Sequence, residues 1–341
     1  MRQKKKKGGG KLFVLVCILA FICFFVLGIV SKFWIKPSWA KKYEAEMTPE
    51  TGTLYTDLSY GDKEEQKFDL YLPADGAKDH YGLVVYLHAG GFTTGDKSDD
   101  REVLSWLCSK GYVAAGINYT LRTEEHPDAS VYTQSMEKKE AVPKVVEAAE
   151  EYGYPVSEMA VAGGSAGHTL AMIYAYRDAD ASPVPVKLLF GAVGPSGFYA
   201  EDWDIYGLDR DTEEAREAAA GLFGVMGGTE LTPEMIEDGS YIEKMKPVSA
   251  VMWVDEDTVP SVVAYGKYDK VQPFKGSLRL RKAYQENHVD YQYFECPHSG
   301  HGLQNDNKVY QEYMETVEAY LDKYLPVRTS APAETEATAL P

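Results

Sequence analysis

The segment Gly163-Gly164-Ser165-Ala166-Gly167 constrains this chain more than any other. It follows the short apolar run Met159–Ala162 and leads into the helix-like stretch Thr169–Tyr176, so it reads as a strand passing abruptly into a helix. Such a turn strains the backbone of its central residue and leaves no room for large neighbours, which explains the glycines and alanine around Ser165. A serine on that turn stands at the end of a sheet with a helix N-terminus behind it, a place that favours developing negative charge. The turn presupposes a strand covered by helices, and the rest of the chain supplies that pattern.

From Gly52 onward strand-like and helix-like stretches alternate, which predicts an α/β fold with a mostly parallel central sheet flanked by helices. Leu54–Tyr60 and Lys67–Leu72 read as an opening strand pair. The runs Leu83–Leu87, Val113–Ile117, Met159–Ala162, Leu188–Val193 and Val262–Tyr265 are short and continuously apolar, as buried parallel strands are, and Tyr291–Phe294 supplies the last strand. Helices are expected at about Asp100–Ser109, Val142–Tyr152, Ala166–Arg177, Lys275–Glu286 and Asn307–Tyr324, with Pro143 in a first turn. The acidic, glycine-punctuated stretch at about 197–250 breaks the rhythm and reads as an inserted cap with a helix over Thr212–Phe223.

The first 42 residues carry ten Lys or Arg and no acid, so the net charge of −17 conceals a body ten charges more acidic. A body of that sign lacks the basic surface that phosphate binding needs, and nucleic acid is not expected as a partner. Leu12–Val30 is an unbroken run of 19 apolar residues. As a helix it reaches roughly 28 Å, close to the thickness of the hydrocarbon layer. The division expected is a basic cytoplasmic N-terminus over 1–11, a transmembrane signal-anchor over 12–31, a stalk over 32–51, the folded domain over 52–327 and a disordered tail over 328–341. Lys and Arg before the run favour a cytoplasmic N-terminus, placing the body outside a cell membrane as a single-pass protein. The alternative is secretion after signal cleavage, against which stands an apolar core longer than the usual 7–15 residues. Cys108 and Cys296, the only cysteines of the body, are expected as buried free thiols.

Further motifs share the order of the serine turn. His88-Ala89-Gly90-Gly91-Phe92 ends the Leu83–Leu87 strand; Asp269 follows the Val262–Tyr265 strand; His301 lies in His298-Ser299-Gly300-His301-Gly302 after the final strand. A carboxylate past a strand end can orient a histidine, and an imidazole can accept and return a proton near neutral pH. His298 is the rival imidazole, and Asp255, Glu256 and Asp257 are rival acids that precede the strand.

In these motifs and their order the chain resembles the esterase and lipase branch of the α/β-hydrolases, the hormone-sensitive-lipase-like and feruloyl-esterase-like carboxylesterases, over roughly Gly52–Leu325. The resemblance implies a serine esterase with Ser165 as nucleophile, His301 as base and Asp269 as its orienting acid. It also implies an oxyanion hole from the N–H groups of Gly90, Gly91 and Ala166. Ala89 stands where that family usually has glycine. Phe92 is expected at the substrate pocket, and Phe198, Tyr199, Trp203, Tyr206, Phe223 and Met226 of the cap either wall that pocket or pack the cap itself. No spaced ligand set points to a metal, and no cofactor is expected. The partner is then an ester, small or glycan-linked. A serine peptidase or acyltransferase of the same fold, or a silent extracellular binding module, are the competing readings.

Overall fold

The computed structural model describes residues 38–327. The expected transmembrane anchor over 12–31 and the tail over 328–341 lie outside the described residues; among those described, no helix is long and apolar enough to cross a membrane. The chain divides into a unit ending at Lys42 and a second from Tyr43 onward. In the first, the Lys42 N–H donates to the Trp39 carbonyl at 3.1 Å.

The second unit begins nine residues before the expected start at Gly52, because Tyr43 is buried edge-on against Trp106 with ring centroids 5.2 Å apart. Its eight strands are β1 (Gly52–Ser59), β2 (Lys67–Pro73), β3 (Tyr81–Leu87), β4 (Val113–Ile117), β5 (Val156–Gly164), β6 (Val186–Ala192), β7 (Ser261–Gly266) and β8 (Tyr291–Cys296). They form one sheet in the order β1-β2-β4-β3-β5-β6-β7-β8. β1 and β2 pair antiparallel, as do β2 and β4, and every other pair is parallel. β4 and β7 are buried along their whole length, which is why they read as unbroken apolar runs.

The helices are α1 (Arg101–Ser109), α2 (Val131–Glu151), α3 (Ala166–Arg177), α4 (Glu213–Gly227), α5 (Pro233–Asp238), α6 (Tyr241–Met245), α7 (Phe274–Glu286) and α8 (Asn307–Tyr324). The expectation for α2 needs correction. It starts eleven residues before Val142, at a capping box between Ser130 and Thr133, so Pro143 lies inside the helix and not in its first turn. The early half buries Gln134, Glu137 and Lys138, a polar face that carries no apolar period.

The insertion between β6 and β7 holds α4, α5 and α6. Thr212 and Thr232 cap the first two, their hydroxyls accepting from the N–H of Ala215 and Met235. Phe198, Trp203, Phe223 and Tyr241 pack together as its aromatic core, Phe198 stacked on Trp203 and Phe223 on Tyr241, with Phe223 edge-on to Phe198 and Trp203. Arg279 of α7 ties its base down through Asp202 and Glu201 and lies 3.9 Å from the Tyr199 ring centre.

Register places the functional loops together. Leu87 of β3 pairs with Gly163 of β5, Gly164 with Ala192 of β6, Ala192 with Ala264 of β7, and Gly266 with Cys296 of β8. The carboxyl ends of these strands therefore form one edge, where open α/β sheets gather their ligand-binding groups.

Candidate active site

Ser165 links β5 to α3 with φ 50° and ψ −118°, a conformation that non-glycine residues rarely adopt. Its N–H donates to the Ala192 carbonyl at 2.9 Å, which pins the turn to the neighbouring strand. The close approach explains two of the surrounding glycines. A Cβ on Gly163 would sit 2.5 Å from the carbonyl carbon of Gly167, and one on Gly167 would sit 1.9 Å from the Leu87 oxygen, whereas Gly164 faces open space.

His301 and Asp269, 136 and 104 positions along the chain from Ser165, meet it in space. The Ser165 Oγ lies 2.9 Å from His301 Nε2, and His301 Nδ1 lies 2.7 Å from Asp269 Oδ2. A carboxylate only accepts, so Nδ1 carries the hydrogen and Nε2 turns its lone pair to the hydroxyl. Asp269 is buried, and its other oxygen accepts from the N–H groups of Val271 and Gln272 at 2.8 and 3.0 Å. The acid is thereby fixed in orientation, and the arrangement can move a proton off the hydroxyl and return it.

The rival histidine is held elsewhere. His298 Nδ1 lies 2.8 Å from Asp306 Oδ1, while the His298 N–H and the Ser299 hydroxyl both donate to Asp306 Oδ2. Burial works to raise the Asp306 carboxyl, but the bonds from Ser299 and His298 outweigh it and hold it below the ordinary carboxylate value. Asp306 thus braces the loop that carries His301. Sequence reading passed over it because it looks like any polar residue ahead of a helix.

On the other side of Ser165, Gly90, Gly91 and Phe92 all have positive φ, at 126°, 60° and 68°. A Cβ on Gly90 would meet the Thr94 oxygen at 1.9 Å. Two neighbouring peptides are pinned by their oxygens. His88 Nδ1 donates to the Ala89 carbonyl at 2.7 Å, and the Gly90 carbonyl accepts from the Thr94 N–H and hydroxyl, both at 3.0 Å. The N–H of a trans peptide points opposite its C=O, so these bonds fix the directions of the Gly90 and Gly91 N–H groups. Among the described residues neither N–H has an acceptor. His88 is buried and stacked on Tyr119, and burial pushes its imidazole down to about 4, so it is neutral and serves as a donor to Ala89.

The other expected residues fall differently. Ala166 opens α3 directly behind Ser165. Phe92, expected at the pocket, is 5% exposed with its ring in the hydrophobic core, and Phe198 and Trp203, at 1% and 4%, lie in the cap's aromatic core. Tyr206 is half exposed, and its hydroxyl donates to the Val271 carbonyl two residues past Asp269 at 2.9 Å. His168 is fully buried, pushed down to about 3 by burial, with Nδ1 accepting from the Gly194 N–H. His126 is half buried, its Nε2 lying 2.9 Å from Glu65 Oε1. Cys108 and Cys296 are buried free thiols. Among the described residues no group of three His, Cys, Asp or Glu gathers as metal ligands.

Sheet, inserted cap and loop edge define an α/β-hydrolase, and comparison with known structures agrees. A truncated carbohydrate esterase from gut microbiota superposes with a TM-score of 0.63 at 17% identity, covering 82% of this chain and 99% of that one. Esterase B of Lactobacillus rhamnosis superposes with a TM-score of 0.59 at 19% identity over 90% and 96% of the two chains. Esterase Est2 of Thermogutta terrifontis gives 0.61 and 19% over 84% and 98%. Among curated proteins, kynurenine formamidase of Danio rerio is 29% identical over 143 residues, 42% of this chain and 45% of that protein, so the match spans under half the relative's length. The BD-FAE family matches residues 68–284, which include Ser165 and Asp269 and stop short of His301. The chain belongs to the BD-FAE family, an esterase-like branch of this fold.

Proposed function

We propose that the protein hydrolyses carboxylic esters through an acyl-enzyme on Ser165. The Ser165 Oγ attacks the ester carbonyl carbon while its proton passes to His301 Nε2, and the Asp269 carboxylate stabilises the imidazolium. The carbonyl oxygen becomes an oxyanion held by the N–H groups of Gly90, Gly91 and Ala166. Collapse breaks the bond to the alcohol oxygen, which takes the proton from His301. Water then attacks the acyl carbon by the same route, giving the carboxylic acid and free Ser165.

The observation that carries this reading is the continuous pair of hydrogen bonds from Ser165 Oγ through His301 to Asp269, at 2.9 and 2.7 Å. A fluorophosphonate probe, which phosphonylates activated serines, is expected to label the wild-type protein and not Ser165→Ala. A well-folded wild type that neither takes the label nor turns over p-nitrophenyl acetate removes the proposal and favours a silent binding module. The formamidase named among the relatives makes a formamide the comparison substrate, and peptide anilides report on peptidase activity.

For localisation, the 19-residue apolar run with flanking lysines supports a single-pass anchor with the catalytic body outside the cell. Protease treatment of intact cells is expected to release the body, and its recovery from the medium without treatment indicates signal cleavage instead.

A further inference from the structure

We propose that Gln134 is a positioning residue for the oxyanion loop; this rests on the reading of Gly90 and Gly91 as oxyanion donors. Gln134 lies on α2, fully buried, and its Nε2 donates to the carbonyls of both Phe92 and Thr120 at 2.9 Å. Two carbonyl acceptors at that atom fix the amide's orientation, since the reverse flip would set oxygen against oxygen. The Arg122 N–H adds a second donor to the Phe92 oxygen at 3.0 Å. That oxygen is saturated and immobile.

Phe92 has φ 68°, where a bulky side chain is strained, and its ring is buried. Left to itself the residue would relax toward negative φ. The peptide following Phe92 is held by Gln134 and Arg122, and the peptide preceding Gly91 by Thr94. Between those two fixed planes Gly91 and Phe92 have no freedom to turn, so the Gly91 N–H stays aimed. Gln134 also leaves its Oε1 buried without a partner, a cost that a purely structural side chain at this position could avoid. Buried strain and an unsatisfied polar atom at one spot mark a place where the fold gives up stability for geometry. Thr120, the second acceptor, joins the same amide to the segment after β4, so the loop is referenced to the sheet and not only to itself.

The test uses Gln134→Met, which keeps volume and loses both donors, and Gln134→Glu, which donates only while its carboxyl is protonated. Both are compared with wild type in kcat, KM and affinity for a trifluoromethyl ketone analogue of the substrate, which forms the oxyanion that a ground-state ester lacks. Positioning predicts kcat lowered about 10- to 100-fold, KM nearly unchanged, and ketone affinity lowered in step with kcat. It also predicts that Gln134→Glu recovers toward wild type as pH falls. If Gln134→Met does not fold, Gln134→Glu alone decides through that pH profile. Folded variants that keep wild-type kcat and ketone affinity, or that lose only KM, overturn the inference about Gln134. A wild type that binds the ketone no more tightly than the parent ester instead overturns the oxyanion reading itself, whatever Gln134 does.

Discussion

The imidazole of His88 lies flat on the ring of Tyr119, with centroids 4.3 Å apart and planes 2° from parallel, and the Tyr119 hydroxyl donates back to the His88 carbonyl at 2.9 Å. The two residues bracket the start of the loop that carries Gly90 and Gly91, one end holding the His88 carbonyl and the other the Ala89 carbonyl. Tyr119→Phe leaves the His88 oxygen buried without that donor, a loss of roughly 1–3 kcal/mol. His88→Phe keeps the stack and removes the bond to Ala89. It is expected to lower kcat by about tenfold while KM stays near wild type, because the freed peptide no longer aims the Gly90 N–H. Steady-state kinetics with melting curves for both variants separate the two effects, and equal losses in kcat and 1/KM contradict this role for His88.

The relay through His301 predicts a steep asymmetry between its members. Ser165→Ala and His301→Ala are expected to leave only background ester hydrolysis. Asp269→Asn keeps the shape but donates where the carboxylate accepted, so His301 is driven toward the wrong tautomer and kcat falls by about 10⁴-fold. Combining Asp269→Asn with Ser165→Ala adds nothing further if the three act as one unit. Additive losses in the double variant count against a shared relay.

The turn around Ser165 distinguishes its glycines. At Gly163 an added methyl meets backbone at 2.5 Å, and at Gly167 at 1.9 Å, with no flexible side chain to yield. Ala at either position is expected to destabilise the fold by at least about 1–3 kcal/mol. Gly164→Ala meets nothing within 4 Å and is expected to melt with the wild type. A Gly164→Ala protein that fails to fold, beside a stable Gly167→Ala, contradicts this account of the motif.

How far the sequence could be read follows from which forces write themselves into residue patterns. β4 and β7 were legible because both faces are buried, which demands unbroken apolar runs. Ser165 was legible because its turn leaves no room for a side chain at Gly163 or Gly167. The first half of α2 was not, since Gln134, Glu137 and Lys138 face inward and erase the apolar stripe that marks a helix. Glu137 accepts from the Thr120 N–H and hydroxyl, and Lys138 Nζ donates to the Asn118 carbonyl, partners that only the fold assembles. Asp306 and Tyr119 escaped for the same reason, their roles being defined by contacts and not by spacing. Aromatic side chains in the cap left two readings open. Phe198 and Trp203 suit either a pocket wall or cap packing by composition, and the structure buries both rings in the cap's aromatic core, since an inserted cap must bury a core of its own.

Buried neutral histidines set the response to acid. His88 and His168 have imidazoles pushed down by burial to about 4 and about 3, against roughly 6.5 in an unfolded chain. Between those values the unfolded state takes up protons that the folded state refuses, so each histidine costs stability as pH falls below about 6.5, at roughly 1.4 kcal/mol per pH unit. Asp100 acts in the opposite sense. Burial, aided by the charge of Asp99, raises its carboxyl to about 7, so the folded state binds a proton that the unfolded state gives up above about 4. Over the window from about 6.5 to 4 the two histidines lower stability with acid and Asp100 offsets one of them, while buried Lys138, whose charged form burial disfavours, acts in the same sense as the histidines. Urea midpoints measured from pH 7 to pH 4.5 are expected to fall. His168→Asn flattens that fall, while Asp100→Asn, which removes the offsetting group, steepens it. A wild type equally stable across the window, or an Asp100→Asn variant with a shallower slope, contradicts the assignment of these buried groups.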